Sequence, residues 1–480
     1  MVFSDLLFIF IFLPLFFLFY LLGWAADKKF TRPAAASNCF FRNCVLVIFS
    51  LIFYAWGEPV YVLLMLLSVL INYIAGLGID RATRHRKLAL VLGLTADILI
   101  LGIFKYAGFV ARNLTAIGIP VADPHISLPI GISFYTFQSI SYLVDVYRRQ
   151  APVQKHYGNL LLYISMFPQL IAGPIVRYDL VAREIQNRHI DATDFREGMF
   201  RFMIGLGKKV ILANQLSEIA DQYLAGDLGS ISTAGAWVGL LAFTFQIFYD
   251  FSGYSDMAIG LGRCLGFHFA ENFRHPYCCT SITDFWRRWH ISLGSFFRDY
   301  VYIPMGGNRR HQAINILVVW MLTGMWHGAE WNFIIWGLYF GVIVTIEKFT
   351  ILRWKHIPAV LLHIYSLILV VLGFGIFYFV DFSRMTQFFN ILFGHAHQLY
   401  DFTVQTSILN NCVLWLLCIV LSLPVYDFVV DKAHAIFGTH VVARQNVALA
   451  VRIVVSLLLF VISVSLLIGA TNNAFIYTRF

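Results

Sequence analysis

Charge is scarce in this chain. Only 13% of its 480 residues are Asp, Glu, Lys or Arg, and 59% are hydrophobic, whereas a soluble domain carries roughly 25% charged residues. A soluble fold of that composition lacks the polar side chains to cover its own surface, so a water-borne enzyme or binding module is excluded. The seven cysteines (39, 44, 264, 278, 279, 412 and 418) include no C-x-x-C pair and no Cys/His metal spacing. That pattern excludes a disulfide framework and a zinc module. No G-x-S-x-G elbow, Walker loop, H-E-x-x-H pair or Rossmann fingerprint stands in a credible context. Internal repeats are also missing, so an inverted-repeat transporter has no support. The N-terminus has neither a basic leader nor a small-residue cleavage site before its apolar run, which reads as a retained first span.

What the chain does have is apolar length and aromatic rings. It holds 46 Phe, 23 Tyr and 11 Trp, an excess of the kind that anchors helices at lipid headgroups. Runs near the 20 apolar residues needed to cross a bilayer lie at 6–24, 60–79, 88–110, 158–176, 234–260, 331–350, 358–380, 410–427 and 447–469. Shorter or less clean runs lie at 44–57, 128–147, 199–224 and 312–326. The expectation is an all-α polytopic membrane protein of about 11–13 membrane helices, some broken or re-entrant, in one domain over 1–480.

The net charge of +9 is first a topology signal. Lys28, Lys29, Arg32 and Arg42 follow the first run, and Arg81, Arg84, Arg86 and Lys87 sit in the 80–87 loop. Loops 111–127 and 381–409 carry one Arg each, Arg112 and Arg384. This alternation places loops 25–43, 80–87 and 148–157 in the cytoplasm and the N-terminus outside. Arg177, Arg183, Arg188 and Arg196 keep 177–198 cytoplasmic only if 158–176 is re-entrant, and the tail 470–480 then falls outside.

Two polar segments interrupt the apolar pattern. The first is DFWRRWHISLGSFFRDY, Asp284 to Tyr300. Trp286, Trp289, His290, Leu293 and Phe297 share one face if Asp284–Phe297 is a single helix, with Thr283 as its cap. An interfacial anchor of Trp and Arg explains that face as well as a site does. The second is LTGMWHGAEWNFIIWG, Leu322 to Gly337. His327 and Glu330 lie between two apolar runs, where ionisable groups are rare and usually face a cavity or a site. A packing histidine bonded across the bundle is the competing reading. Gly324 and Gly328 leave room beside the imidazole for backbone or substrate. Weaker marks are Asp97 with Lys105, an interior pair or separate solvated groups, and YDFSGYSD from Tyr249, a polar cavity wall or a helix break at Gly253. Prolines at both ends of the stretch 167–174, Pro168 and Pro174, suggest a kinked or re-entrant helix.

These segments together resemble the membrane-bound O-acyltransferase family, in its bacterial alginate O-acetyltransferase branch. The matching stretches are LPIGISFYTFQSISYLVDVYR from Leu128, FPQLIAGPIVR from Phe167 and YDFSGYSDMAIGLG from Tyr249. They continue with ENFRHPY from Glu271, the Asp284–Asn308 and Leu322–Gly337 segments, and FIYTRF from Phe475. The resemblance implies a helical bundle enclosing a tunnel, with His327 and His290 at its narrow middle. It implies acetyl transfer from a cytoplasmic thioester, acetyl-CoA or an acyl carrier, with no bound cofactor or metal. The implied acceptor is an extracytoplasmic polysaccharide, reached directly or through a secreted SGNH-type partner, across a bacterial inner membrane. Peptidoglycan and teichoic acid are alternative acceptors, and a polysaccharide or acyl transporter is the rival without bond chemistry. His327 is then the expected base and His290 holds or polarises a substrate. Trp289, Trp326, Asn332 and Asp299 are expected along the tunnel. One departure stands out: WGLYFG, Trp336 to Gly341, has Phe340 where this branch often has a further His.

The charge asymmetry carries a direct test. Reporter fusions at residues 35 and 84 should both read cytoplasmic, and a fusion after Phe480 should read external. A cytoplasmic C-terminus would refute this parity, at 158–176 first.

Overall fold

A computed structural model describes residues 1–30, 39–82, 84–353, 357–425, 428, 432, 441–470 and 475. Arg32 and most of the tail expected outside the membrane fall beyond them. Every regular element among the described residues is helical. Among the described residues eight helices have the length and apolarity to cross a membrane: Phe8–Phe30, Phe40–Gly57, Tyr61–Arg81, Arg86–Ala116, Thr233–Cys264, Trp331–Phe349, Ala359–Tyr378 and Asn446–Ile468. A ninth is possible if Phe402–Asn410 and Cys412–Ser422, bent by 63°, form one broken span.

The expected 11–13 included apolar runs that the fold uses differently. Residues 158–176 become two short helices, Tyr157–Ser165 and Phe167–Leu170. Pro168 stands in the first turn of the second, where a missing N–H costs nothing. Residues 199–224 become Ala192–Gly207, a π-helical turn Lys208–Ala213 and Asn214–Leu224. Gln312–His327 is a helix of 16 residues, about 24 Å at 1.5 Å per residue and short for a full crossing. Apolarity marked these segments because they are buried in protein, which hydropathy cannot tell from burial in lipid.

The described chain forms two compact units, each built from two stretches of chain: Met1–Phe202 with Tyr254–Glu271, and Met203–Gly253 with Asn272–Phe480. The first is cored by phenylalanine: Phe3, Phe8, Phe12, Phe16, Phe53 and Phe167 stack or meet edge to face. The charged side chains inside it take ionic or hydrogen-bonding partners, as the cost of desolvation requires. Asp27 takes the Arg42 guanidinium at 2.9 Å, and Arg201 bridges Asp256 and Glu271. Asp97 accepts from Asn72 at 2.7 Å and Lys105 donates to Ser133. Both are buried, so the solvated alternative for them is excluded.

The second unit corrects the reading of YDFSGYSD. Thr233–Cys264 runs through Gly253 without a break. A Cβ there would meet the Gly205 carbonyl oxygen at 2.8 Å, so this glycine serves close helix packing. Neither carboxylate is left to line a cavity. Asp250 is paired with buried Lys209 at 2.6 Å, and Asp256, in the first unit, is held by Arg201.

Gln312–His327 and Trp331–Phe349 fold back on one another as a tight hairpin. Its closeness depends on two glycines. A Cβ on Gly324 would fall 2.2 Å from the Phe333 carbonyl oxygen, and one on Gly337 would fall 2.3 Å from that of Trp320. The space beside His327 that Gly324 and Gly328 were expected to leave is therefore filled by the Phe333 backbone and ring. Gly337→Ala should force the two backbones apart at a cost of about 1–3 kcal/mol, the usual range for overpacking. Thermal unfolding of the detergent-purified variant reads this, and an unchanged midpoint would mean that the helices do not pack so closely.

Candidate active site

The site is assembled in the second unit by one short, broken stretch and one hairpin. Residues 282–302 form Ile282–Arg288, Ile291–Phe297 and the π-helical turn Arg298–Tyr302. The single helix expected over Asp284–Phe297 is thus interrupted at its centre. His290 stands at the break with φ 46° and ψ 53°, in the left-handed region. That conformation is uncommon outside glycine and persists only where surrounding bonds impose it. Here they are visible: the Ile291 N–H donates to the Asn272 carbonyl at 3.0 Å, and the Ser292 N–H donates to Asn272 Oδ1 at 3.2 Å.

The start of the stretch is fixed just as firmly. Ser281, not Thr283, is the cap, its hydroxyl accepting from the Asp284 N–H at 2.9 Å. Thr283 lies inside the helix and donates its hydroxyl to Glu347 Oε2 at 2.7 Å. The same carboxylate accepts from the backbone N–H groups of Ile282 and Thr283 at 2.6 and 2.8 Å. Glu347 is fully buried near the end of Trp331–Phe349. An anion bonded to free N–H groups at a helix start is a stable arrangement.

With the helix broken, its aromatic face divides. Trp289 is buried among Phe248, Phe273, Phe285 and Phe374, with centroids 5.1–6.1 Å away. Trp286 turns toward Trp320, Trp336 and Phe340. Phe340 is completely buried in that box. An apolar ring needs no hydrogen-bond partner there, whereas an imidazole would.

His290 and His327 both meet one indole. Trp326 lies 5.6 Å from the His290 ring and 5.0 Å from the His327 ring, centroid to centroid. His290 also meets Phe251 edge-on at 4.7 Å. His327 ends Gln312–His327 and meets Trp336 and Phe377 edge-on at 5.0 and 5.3 Å. Both imidazoles are buried, 2% and 6% exposed, so each sits in an environment of low polarity. Burial holds the His290 imidazole well below its ordinary value, which keeps it neutral at pH 7.

Asn332 supports this pair from behind. Its amide donates to the carbonyls of Phe377 and Ile376 at 3.1 and 3.5 Å, which pins the end of Ala359–Tyr378 and with it the ring that touches His327. The next residues, Tyr378 and Phe379, line an open cavity of about 290 Å³ with Phe243, Gln246 and Arg384. Asp299 pairs with Arg298 at 2.7 and 3.0 Å on a partly exposed turn. Asn272 and Glu347 are the residues that sequence reasoning missed. Asn272 lay inside the quoted ENFRHPY stretch without a role, and Glu347 is one acid in an apolar run. Among the described residues no group of three His, Cys, Asp or Glu side chains is arranged to hold a metal.

Comparison with known proteins matches residues 149–385 to the model of the membrane-bound O-acyltransferase family. Over 391 residues, 78% of this chain and 75% of the relative, the chain is 43% identical to the probable alginate O-acetylase AlgI of Azotobacter vinelandii. The chain belongs to the membrane-bound O-acyltransferase family. It is 43% identical to the AlgI of Pseudomonas aeruginosa over 429 residues, 86% of this chain and 78% of that one. A Helicobacter pylori peptidoglycan O-acetyltransferase is 37% identical over 381 residues, 72% of this chain and 70% of the relative. The chain is thus a multi-span membrane O-acyltransferase, and both histidines of this acyltransferase lie within the matched region.

Trp289→Ala removes a ring from the core that holds this turn. Loss of a buried Trp costs about 3–5 kcal/mol, so the variant should insert in the membrane, melt earlier and transfer acyl groups more slowly. Wild-type turnover in purified Trp289→Ala would mean that this ring only stabilises the fold and does not position His290.

Proposed function

We propose that this acyltransferase moves an acetyl group from a cytoplasmic thioester to a hydroxyl on an extracytoplasmic polysaccharide, directly or through a partner protein of the SGNH type. The observation that carries this reading is the pair of buried imidazoles flanking Trp326, in a chain 43% identical to proteins named as probable alginate O-acetylases. His327 serves as general base. It takes the proton of the incoming hydroxyl as that oxygen attacks the thioester carbonyl. The C–S bond then breaks, and the proton passes to the departing thiolate. A neutral imidazole shielded from water is suited to this, because it accepts a proton near neutral pH without a hydration shell to displace. His290 holds the hydroxyl-bearing substrate. The donor is acetyl-CoA or an acetylated carrier, and no metal or prosthetic group takes part.

The acceptor side is the cavity lined by Tyr378 and Phe379, the residues that follow Phe377, whose ring meets His327. Its position in the 378–384 stretch agrees with an acceptor arriving from outside, since loop 381–409 is expected there. The membrane in question is the bacterial inner membrane, with both termini outside. Peptidoglycan is the second reading for the acceptor, favoured by the Helicobacter pylori relative. A neighbouring gene for a secreted SGNH-type hydrolase or a polymer synthase separates the two. A transporter without bond chemistry gives no acyl transfer by purified protein.

The decisive variant is His327→Gln. The aromatic edges around His327 mean that His327→Ala leaves a void, so its stability loss would blur the result. Glutamine keeps volume and hydrogen bonding but accepts no proton at neutral pH. Folded His327→Gln should lose about 10²–10⁴-fold in acyl transfer, the usual contribution of general acid–base catalysis. Normal turnover in the folded variant overturns the assignment and moves it to His290.

A further inference from the structure

We propose that Asn272 is a positioning residue that fixes the tautomer of His290, so that Nε2 is the hydrogen-bond acceptor this ring presents to substrate. The inference rests on the acyl-transfer reading and deepens it by giving His290 a defined chemical face.

The assignment follows from a chain of obligatory donors. Asn272 Oδ1 lies 3.2 Å from the Ser292 backbone nitrogen. A backbone N–H can only donate, so the Asn272 atom facing it must be the carbonyl oxygen and the amide cannot be flipped. That oxygen also accepts from the Ser292 hydroxyl at 2.8 Å. His290 Nδ1 stands 3.2 Å from the same oxygen. An amide oxygen has no proton to give, and the Ser292 hydroxyl, 3.4 Å from Nδ1, directs its single proton to that oxygen at the shorter 2.8 Å, so Nδ1 carries the hydrogen. Nε2 of the neutral ring then holds the lone pair. It is buried and has no hydrogen-bond partner among the described residues.

A buried acceptor left without a donor costs free energy unless something fills it. The side chains placed against this ring are Asn272, Ser292, Phe251 and Trp326, none of them ionised. Their elements carry titratable groups nearby in Asp250 and His327, and Asp250 is paired with Lys209. A substrate hydroxyl is the chemistry that fits the vacant lone pair: its O–H donates to Nε2 while its oxygen remains free to be activated. The arrangement parallels the carboxylate behind a catalytic histidine, which holds ring and tautomer in place. Asn272 is neutral, so it orients the ring without favouring its protonated form.

The role differs from structural support, although Asn272 also bonds Ile291 and Ser292. The test is nitrogen NMR of full-length, detergent-purified protein labelled with ¹⁵N-histidine. The His290 signals are assigned by their loss in His290→Asn, and turnover is measured alongside. The wild-type ring should show protonated Nδ1 and bare Nε2. Asn272→Ala should lose that single tautomer, and kcat should fall about 10–100-fold, the scale set by loss of an orienting partner, with KM for the donor within about twofold. Asn272→Asp keeps an acceptor at every one of these contacts. It should retain the Nδ1–H form and fold even if Asn272→Ala does not. Protonated Nε2 in the wild type, or loss of the Nδ1 proton in Asn272→Asp, overturns the proposal; a second proton on the ring in Asn272→Asp does not, because a carboxylate at 272 favours the imidazolium. So does an Asn272→Ala protein with the wild-type tautomer. If the wild-type protein shows the expected tautomer but transfers no acyl group, the acyl-transfer reading has failed instead.

Discussion

The carboxylate of Glu347 is the interaction on which the site depends. It is buried in a spanning helix, where an unpartnered carboxylate would be prohibitively costly. It accepts three hydrogen bonds from Ile282 and Thr283, and the Tyr365 hydroxyl stands within reach of the same carboxylate. Burying the acid therefore ties the start of the polar stretch to this helix. At the other end of the same helix, Asn332 binds the carbonyls beside Phe377. Trp331–Phe349, 19 residues long, spans about 28 Å. One rigid element thus references both histidines, the first through the 282–288 helix and the second through Phe377.

The polar economy of the interior follows the same rule. Several ionic and amide groups that enter it are received by a specific partner from another element: Lys209 with Asp250, Arg42 with Asp27, Asn72 with Asp97. The remaining space is filled by aromatic edges. Around the two histidines this leaves a region of low polarity in which the few hydrogen-bonding atoms are strongly directional.

How much of this was legible depends on how local each signal was. Long apolar runs such as 6–24 and 358–380 identify themselves, because a spanning helix satisfies its own backbone. His327 and His290 stood out as ionisable groups in apolar surroundings, and the structure brings both rings to Trp326. The break at His290 was not legible. The pattern over Asp284–Phe297 is fully compatible with one helix until Asn272, eighteen residues upstream of His290, captures the N–H groups of the turn. The cap failed similarly: Thr283 looks like a helix start until Glu347, from a segment with no evident polar role, claims its hydroxyl. Runs such as 158–176 and 199–224 fold as short or broken helices, and apolarity alone does not mark where they break, since burial in protein and burial in lipid select the same residues.

The left-handed backbone at His290 restricts what can ever stand there. Branched side chains are close to forbidden at φ 46°, and among the remainder asparagine, aspartate and glycine tolerate the region best. Variation at this position is therefore filtered twice, once by the chemistry of the ring and once by the torsion beneath it. A residue chosen by side-chain likeness alone, such as glutamine, brings a backbone penalty unrelated to catalysis. Asparagine keeps the turn and a short polar group, so in any library or directed-evolution effort it is the replacement whose phenotype reports on chemistry instead of folding.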